Sequence, residues 1–128
     1  MKYLQDYMED KQTDLFKKTG SFFAFSIKQF NEQKKEGIKY INMGRGLLTE
    51  QGNVKAVIDG LDKIYRDSIA QDIKDNGRDK IILRELLNHE AFYVHCIEDT
   101  VRKLADYEGI SEADISKVYS KNVAKYVD

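Results

Sequence analysis

The sequence predicts an α+β fold, mainly α, with five or six helices packed around a small antiparallel sheet of two or three strands. Apolar residues recur at spacings of three and four through most of the chain, which is typical of helices. Glycines and capping residues separate these stretches. Two short β-prone segments flank a Gly-x-Gly turn near the middle. The length of 128 residues, without a Pro-, Gly- or Ser-rich linker, predicts a single domain over 1–128.

The chain begins with a predicted helix over residues 1–18, and Gly20 is the expected stop. The aromatic run 22–25 suits a buried strand or a wedge. Such a run also occurs in platforms that stack single-stranded nucleic acid, but those platforms carry interleaved basic residues and only Lys28 is near. We therefore expect these aromatic side chains, together with Phe30, in the core.

A short second helix follows the aromatic run. Ser26 and Gln29 have the spacing of a capping box, in which the hydroxyl accepts from a first-turn amide and the Gln side chain reaches back. The helix should continue to about Lys35 and be ended by Gly37.

Two β-prone segments, 38–43 and 47–49, flank the turn Gly44-Arg45-Gly46 and predict an antiparallel hairpin. A Gly-x-Gly after a strand also occurs in phosphate-binding loops, but Thr49 stands where the dinucleotide fingerprint needs a third small residue. Turn geometry therefore explains both glycines. We expect Arg45 to be exposed at the tip, where it can contact an anionic group of a partner.

The longest predicted helix has Asn53 as its N-cap and ends at Asn76-Gly77. Asp79 is the expected N-cap of the next helix, whose inward residues are Ile82, Leu83, Leu86 and Leu87. Asp72 and Asp75, with Asp79, lack the spacing of a calcium-binding loop, so we interpret all three as residues of helix ends.

The segment 91–97 is ambiguous, because its aromatic and β-branched residues suit a strand whereas Glu98 and Asp99 are typical of the acidic first turn of a new helix. That helix should end near Gly109. Ser111 and the acid three residues later open the last helix. Its apolar stripe comprises Ile115, Val118, Tyr119, Val123 and Tyr126.

Charge is balanced overall but unevenly distributed. The 21 basic and 22 acidic residues give a net charge of -1, which does not favour global attraction to nucleic acid or to an anionic membrane. Residues 85–114, however, carry eight acids and two bases, a net charge of -6. Charge runs are mostly solvated, but this one also suits a basic partner. The expected contact residues are Glu98, Asp99, Asp106, Glu108, Glu112 and Asp114.

Several compartments are disfavoured by the sequence. No apolar run approaches the ~18 residues of a membrane span, and the first residues turn acidic at once, unlike a signal peptide. The lone Cys96 agrees with a reducing compartment and is expected to be a small buried hydrophobe. We therefore expect a cytoplasmic protein without membrane contact.

The densest group of chemically active side chains lies within eleven positions and comprises His89, Glu90, His95, Cys96, Glu98 and Asp99. A helical zinc site needs ligands four residues apart, whereas the two histidines are six apart. A catalytic thiol–imidazole pair is normally formed by residues distant in sequence, and His95 and Cys96 are adjacent. We therefore predict no metal, no cofactor and no catalytic residue. A small metal-dependent enzyme or metalloprotein using His89, Glu90 and His95 stays open as the alternative.

Three motifs carry a family resemblance. Residues 20–30 have the pattern G-x-F-F-A-F-S-x-x-Q-F, residues 88–93 have N-H-E-x-x-Y, and residues 97–101 are I-E-D-T-V. On these motifs the chain resembles a family of short phage-encoded proteins of unknown function. The resemblance implies a phage or mobile-element gene acting inside a bacterial cell. Because His95 and Cys96 depart from the family pattern, it implies no family-wide role for them.

Together these observations predict a non-enzymatic accessory protein that binds a bacterial host protein with a basic surface through its acidic C-terminal half. Small phage proteins of this kind often inhibit host factors, so we expect a host defence or nucleic-acid-handling factor as the target. A homodimer is a further possibility, since a six-turn helix beside a small sheet can leave apolar surface uncovered. A helical nucleic-acid-binding module is the remaining alternative, disfavoured by the charge balance. Its contacts would be Lys34, Lys35, Lys39 and Arg45.

Overall fold

Seven α-helices and one three-stranded antiparallel sheet make up residues 1–126, the part of the chain that the computed structural model describes. The predicted class, α+β and mainly α, is confirmed. The chain divides into two compact units, Met1–Ser68 and Ile69–Asp128, here called the first and second units. The expectation of a single domain stays a prediction.

The first unit contains two helices, the sheet and most of a third helix. The helices are α1 (Leu4–Thr19), α2 (Ile27–Gln33) and the first part of α3 (Val54–Asn76). The strands are β1 (Phe22–Phe23), β2 (Tyr40–Gly44) and β3 (Leu47–Glu50), in the order β1-β3-β2.

The end signals of α1 and α2 act largely as predicted. Gly20 ends α1 in the left-handed conformation, with φ of 68°. The Ser26 hydroxyl accepts from the amide of Gln29 at 3.1 Å. The Gln29 side chain reaches back one residue further than in the standard box, accepting from the amide of Phe25 at 2.7 Å. The helix is shorter than expected and ends four residues before Gly37.

The predicted hairpin between β2 and β3 is confirmed, with Ile41 opposite Thr49. Its tip is Gly44-Arg45-Gly46, and all three residues have positive φ. Arg45 is exposed at this tip. The register shifts between Asn42 and Gly44, and the Asn42 side chain accepts from the Gly44 amide at 2.8 Å, which stabilises the irregular end of β2.

The aromatic run is less buried than expected: Phe22 and Phe30 are half-buried, and the expectation is wrong for the two other rings. Phe22 contacts Phe30 and Tyr40, with ring centroids 6.2 and 5.3 Å away. Phe23 and Phe25 are instead 47% and 74% exposed. The reason is that β1 has only two residues, whose side chains face opposite sides, and Phe25 lies beyond the strand.

Asn53 immediately precedes α3, at the predicted N-cap position. It lies in a 3-10 turn, Gln51–Asn53, and its side-chain amide donates to the carbonyl of Thr19 at 3.0 Å. The hydroxyls of Thr19, Ser21 and Thr49 form a short chain, at 2.8 and 3.0 Å. These bonds satisfy polar groups at the end of α1 and connect it to β3.

The second unit contains the end of α3 and four further helices. They are α4 (Arg78–Asn88), α5 (Ala91–Val94), α6 (Glu98–Lys103) and α7 (Glu112–Tyr126). The first four residues of the ambiguous segment 91–97 therefore form a helical turn, α5, and the last three are not helical. The buried apolar residues of this unit are Ile69, Ile81, Ile82, Leu86, Ala91, Phe92, Leu104, Tyr107 and Ile115.

Four details of the second unit differ from the predictions. Asp79 is not an N-cap, because Gly77, with φ of 78°, precedes a helix that already begins at Arg78. Leu87 is 44% exposed, since Ile82 and Leu86 occupy the buried face of α4. The helix α6 ends six residues before Gly109. Cys96 is exposed, because the chain reverses just before it.

Among the described residues, none of the helices combines the length and the apolar character needed to cross a bilayer.

Candidate functional site

The candidate site is a short turn, residues 90–96, which we call the α5 turn. Its four helical residues divide sharply by exposure. Ala91 and Phe92 are buried, at 0% and 4%, whereas Tyr93 and Val94 are 84% and 54% exposed. The turn therefore inserts one pair of side chains into the core and presents the next pair to solvent.

Both ends of the α5 turn have strained backbone. Glu90 and His95 have φ of 54° and 56°, a conformation that residues other than glycine adopt at a cost on the order of 1–3 kcal/mol. The amides of Tyr93 and Val94 both donate to the Glu90 carbonyl at 3.0 Å. Such strain persists only where packing compensates for it, so the turn is held in a defined shape.

The packing that holds the turn is a stack of aromatic rings. Phe92 lies against Tyr119 and Tyr126 of α7, with ring centroids 5.0 Å away in both cases and interplanar angles of 8° and 25°. Aromatic contacts of this kind are worth roughly 0.5–1.5 kcal/mol beyond the buried area. Tyr93 is thus an exposed ring on an anchored support.

The sequence around the turn is acidic. Residues 90–99 contain Glu90, Glu98 and Asp99 and neither Lys nor Arg. Glu98 and Asp99 are exposed in the first turn of α6. Arg102 lies between them, with guanidinium nitrogens 3.5 Å from Glu98 and 3.4 Å from Asp99. Exposed pairs of this length contribute little to stability.

The other four predicted contact residues lie later in the chain. Asp106 and Glu108 are exposed between α6 and α7, and Glu112 is exposed in the first turn of α7. Asp114 completes the capping box of that helix, since its carboxylate accepts from the amide and the hydroxyl of the cap residue Ser111 at 2.8 and 2.9 Å. These bonds hold the pKa of Asp114 below its ordinary value. Asp114 therefore has a structural role that needs no partner.

A buried charge cluster stabilises the unit that carries the turn. Both carboxylate oxygens of Asp72 accept from Arg84, at 2.8 and 2.9 Å, and Asp72 also accepts from Tyr107 at 2.6 Å and from Asn76 at 2.8 Å. Arg84 donates through Nε to Glu85 at 2.6 Å. The cluster connects α3, α4 and the segment after α6.

Burial and hydrogen bonding shift the pKa values of two residues in this cluster. Desolvation alone raises the pKa of Asp72, but the hydrogen bonds from Arg84, Tyr107 and Asn76 outweigh it, and the pKa lies below its ordinary value. Burial, and then the bond to Asp72, raise the pKa of Tyr107. Because Asp72 and Tyr107 are 0% and 2% exposed, a substrate does not reach them, and we interpret the cluster as structural.

The metal alternative gains no support from the geometry. In residues 1–126, no group of three or more His, Cys, Asp or Glu side chains gathers as a metal site. His95 is exposed at the end of the α5 turn, whereas Nε2 of His89 is turned inward, 3.7 Å from Oε1 of Glu85. Glu90 is exposed between them.

Comparison with known proteins identifies the family. The chain matches the family of unknown function DUF7659 over residues 4–126. It belongs to that family. No curated protein and no solved structure gives a significant match.

Sequence reasoning missed two features of the site. Asp72 lies about one turn after Ile69 on the apolar stripe of α3, and Arg84 interrupts the apolar run of α4. Charged residues on an otherwise apolar helix face indicate a buried ion pair. The exposure of Tyr93 had no such signal, because it depends on the backbone reversal at Glu90 and His95.

Proposed function

We propose that this member of the DUF7659 family is a non-enzymatic binding protein whose α5 turn and neighbouring acids contact a basic surface of a host protein. The observation that carries the proposal is Tyr93, 84% exposed on a turn that Phe92 anchors in the core. Tyrosine is enriched at interface hot spots because it offers a large, rigid area with a polar tip.

The chemistry of the partner follows from the surroundings of Tyr93. Val94 adds apolar area beside the ring, and Glu90, Glu98 and Asp99 add negative charge within ten residues. A matching surface has an apolar pocket rimmed by Lys or Arg side chains. Charge complementarity of this kind increases association rate and selects among partners.

The biological setting rests on the family resemblance drawn from the sequence motifs. It supports a phage or mobile-element accessory protein that acts in the bacterial cytoplasm and inhibits a host defence or nucleic-acid-handling factor. Occlusion of a basic groove on that factor is the mechanism that fits an acidic surface with an aromatic anchor.

The test is site-specific photo-crosslinking in a lysate of the bacterial host, with a photoreactive phenylalanine analogue at position 93. We expect one dominant adduct, identified by mass spectrometry. The charge reversal Glu98→Lys with Asp99→Lys should reduce its yield at least about tenfold, since close charge pairs couple by a kcal/mol or more. The matched control, Asp59→Lys with Asp62→Lys, changes the net charge equally on exposed positions of α3 and should leave the yield unchanged.

A second experiment removes the exposed ring of Tyr93. Tyr93→Ala should abolish co-purification of the same protein, whereas Ile58→Ala, which truncates an exposed apolar residue of the first unit, should not. Equal recovery with Tyr93→Ala, or adducts that the charge reversal leaves unaltered, would remove the proposal.

A further inference from the structure

Three large apolar side chains of the first unit are exposed within five residues. Phe23 is 47% exposed, Phe25 74% and Ile27 81%. We call them the phenylalanine surface. The rings of Phe23 and Phe25 are nearly parallel, with an interplanar angle of 10° and centroids 6.3 Å apart.

Both rings are held in place by their neighbours. The Phe25 ring lies directly against Gly46, where a Cβ atom would collide with it. The Ala24 amide donates to the Gly46 carbonyl at 2.9 Å, which extends the pairing of β1 with β3 to this point. Phe16 contacts Phe23 edge-on, with centroids 5.7 Å apart. The faces left open are therefore preorganised for a flat ligand.

The sequence around the phenylalanine surface is basic. Residues 17–45 contain seven basic side chains and two acidic ones, a net charge of +5. Arg45 immediately precedes the glycine on which Phe25 rests, and Lys28 follows Ile27 in the first turn of α2. The basic residues are Lys17, Lys18, Lys28, Lys34, Lys35, Lys39 and Arg45.

We propose that the phenylalanine surface binds single-stranded nucleic acid, with bases stacked on Phe23 and Phe25 and phosphates near Arg45 and Lys28. Open aromatic faces beside cationic side chains are the combination that single-strand binding uses. A paired duplex does not present its base faces, so it fits this surface less well. The hairpin tip brings one cation close to the rings, since Arg45 is adjacent to Gly46, which contacts Phe25.

The test is fluorescence anisotropy of the full chain with labelled oligothymidylate and oligouridylate of about 20 nucleotides at low salt. Phe25→Ala should weaken binding by about tenfold or more, and Phe25→Trp should restore it, because stacking on one ring is worth about that factor. Arg45→Ala should weaken binding and reduce the slope of log affinity against log salt by about 1. The two oligomers distinguish DNA from RNA as the ligand.

Controls separate this surface from the rest of the chain. Lys55→Ala removes an exposed cation of α3, and Ile58→Ala removes an exposed apolar side chain of the same helix. Both variants should bind as the wild type does. Tyr93→Ala should also bind normally, so failure of the proposed protein-binding function and failure of this inference are distinguishable.

Three results would overturn the inference. One is the absence of salt-dependent binding to either oligomer. Another is equal affinity of Phe25→Ala and the wild type, or equal affinity for duplex and single strand. The third is a dimer, measured by light scattering, that Phe25→Ala dissociates, because a second copy of the chain would then cover the surface.

Discussion

The two units of the chain bury their apolar residues to very different extents. In the described part of the second unit nine apolar side chains are buried, whereas in the first unit only Leu4, Leu47 and Val57 are. The first unit also exposes more large apolar side chains than the second. The units differ in charge as well, since residues 1–68 carry +2 and residues 69–128 carry -3.

The two units therefore expose their aromatic side chains in different ways. The second unit is a dense core with a buried charge cluster, and it exposes the ring of Tyr93 on a strained but anchored turn. The first unit has few buried apolar side chains and leaves Phe23 and Phe25 exposed. Stability in the second unit should therefore depend on buried groups, and stability in the first on local hydrogen bonds and caps.

The largest expected effect is on the buried cluster. Arg84→Met removes the cation that Asp72 and Glu85 share and should lower the free energy of unfolding by about 3–5 kcal/mol, because two buried carboxylates lose their partner. Urea denaturation followed by circular dichroism measures it. Arg66→Met is the matched control, since it removes an exposed pair with Asp62 and should cost less than about 1 kcal/mol. A similar loss in the free energy of unfolding for both variants would contradict the view that buried groups stabilise the second unit more than exposed pairs stabilise the first.

A smaller effect is expected from Tyr107→Phe, which removes one hydrogen bond to Asp72 and leaves those from Arg84 and Asn76. The cost at neutral pH should be about 1–2 kcal/mol. The pKa of Tyr107 is raised in the folded state, so its contribution is complete below about pH 10 and is lost as the pH rises above that value. The two proteins should therefore converge in stability in alkaline urea titrations. A gap that stays constant above pH 10 would place Tyr107 outside the cluster.

Sequence patterns predicted those elements whose signals are local. Gly20, the Ser26 cap, the hairpin tip and the Ser111 cap all depend on backbone conformations that a few neighbouring residues determine. The α5 turn and the partition of the aromatic run were not predicted, because they depend on contacts made across the fold. Phe92 is buried by residues of α7 that lie more than 25 positions away. The sequence predicted the candidate contact acids, but it did not predict the exposed ring of Tyr93.

The smallest effect compares two helix caps of the same chemistry. Ser26 caps α2 in the first unit and Ser111 caps α7 in the second, each accepting a backbone amide at 3.1 Å. Ser26→Ala and Ser111→Ala should each cost about 1 kcal/mol. In α2, which buries no residue completely, the loss should appear as roughly fivefold faster hydrogen exchange confined to that helix.

In α7 the same loss should not appear as local opening. Ile115 is buried at 2% exposure in its first turn, and Tyr119 stacks on Phe92, so the amides of this helix exchange mainly when the surrounding core opens. Hydrogen exchange measured by mass spectrometry on both variants distinguishes the two cases. The opposite result would be faster exchange confined to α7 in Ser111→Ala, with exchange of α2 unchanged in Ser26→Ala. It would mean that α7 opens locally and that α2 opens only with its surrounding core.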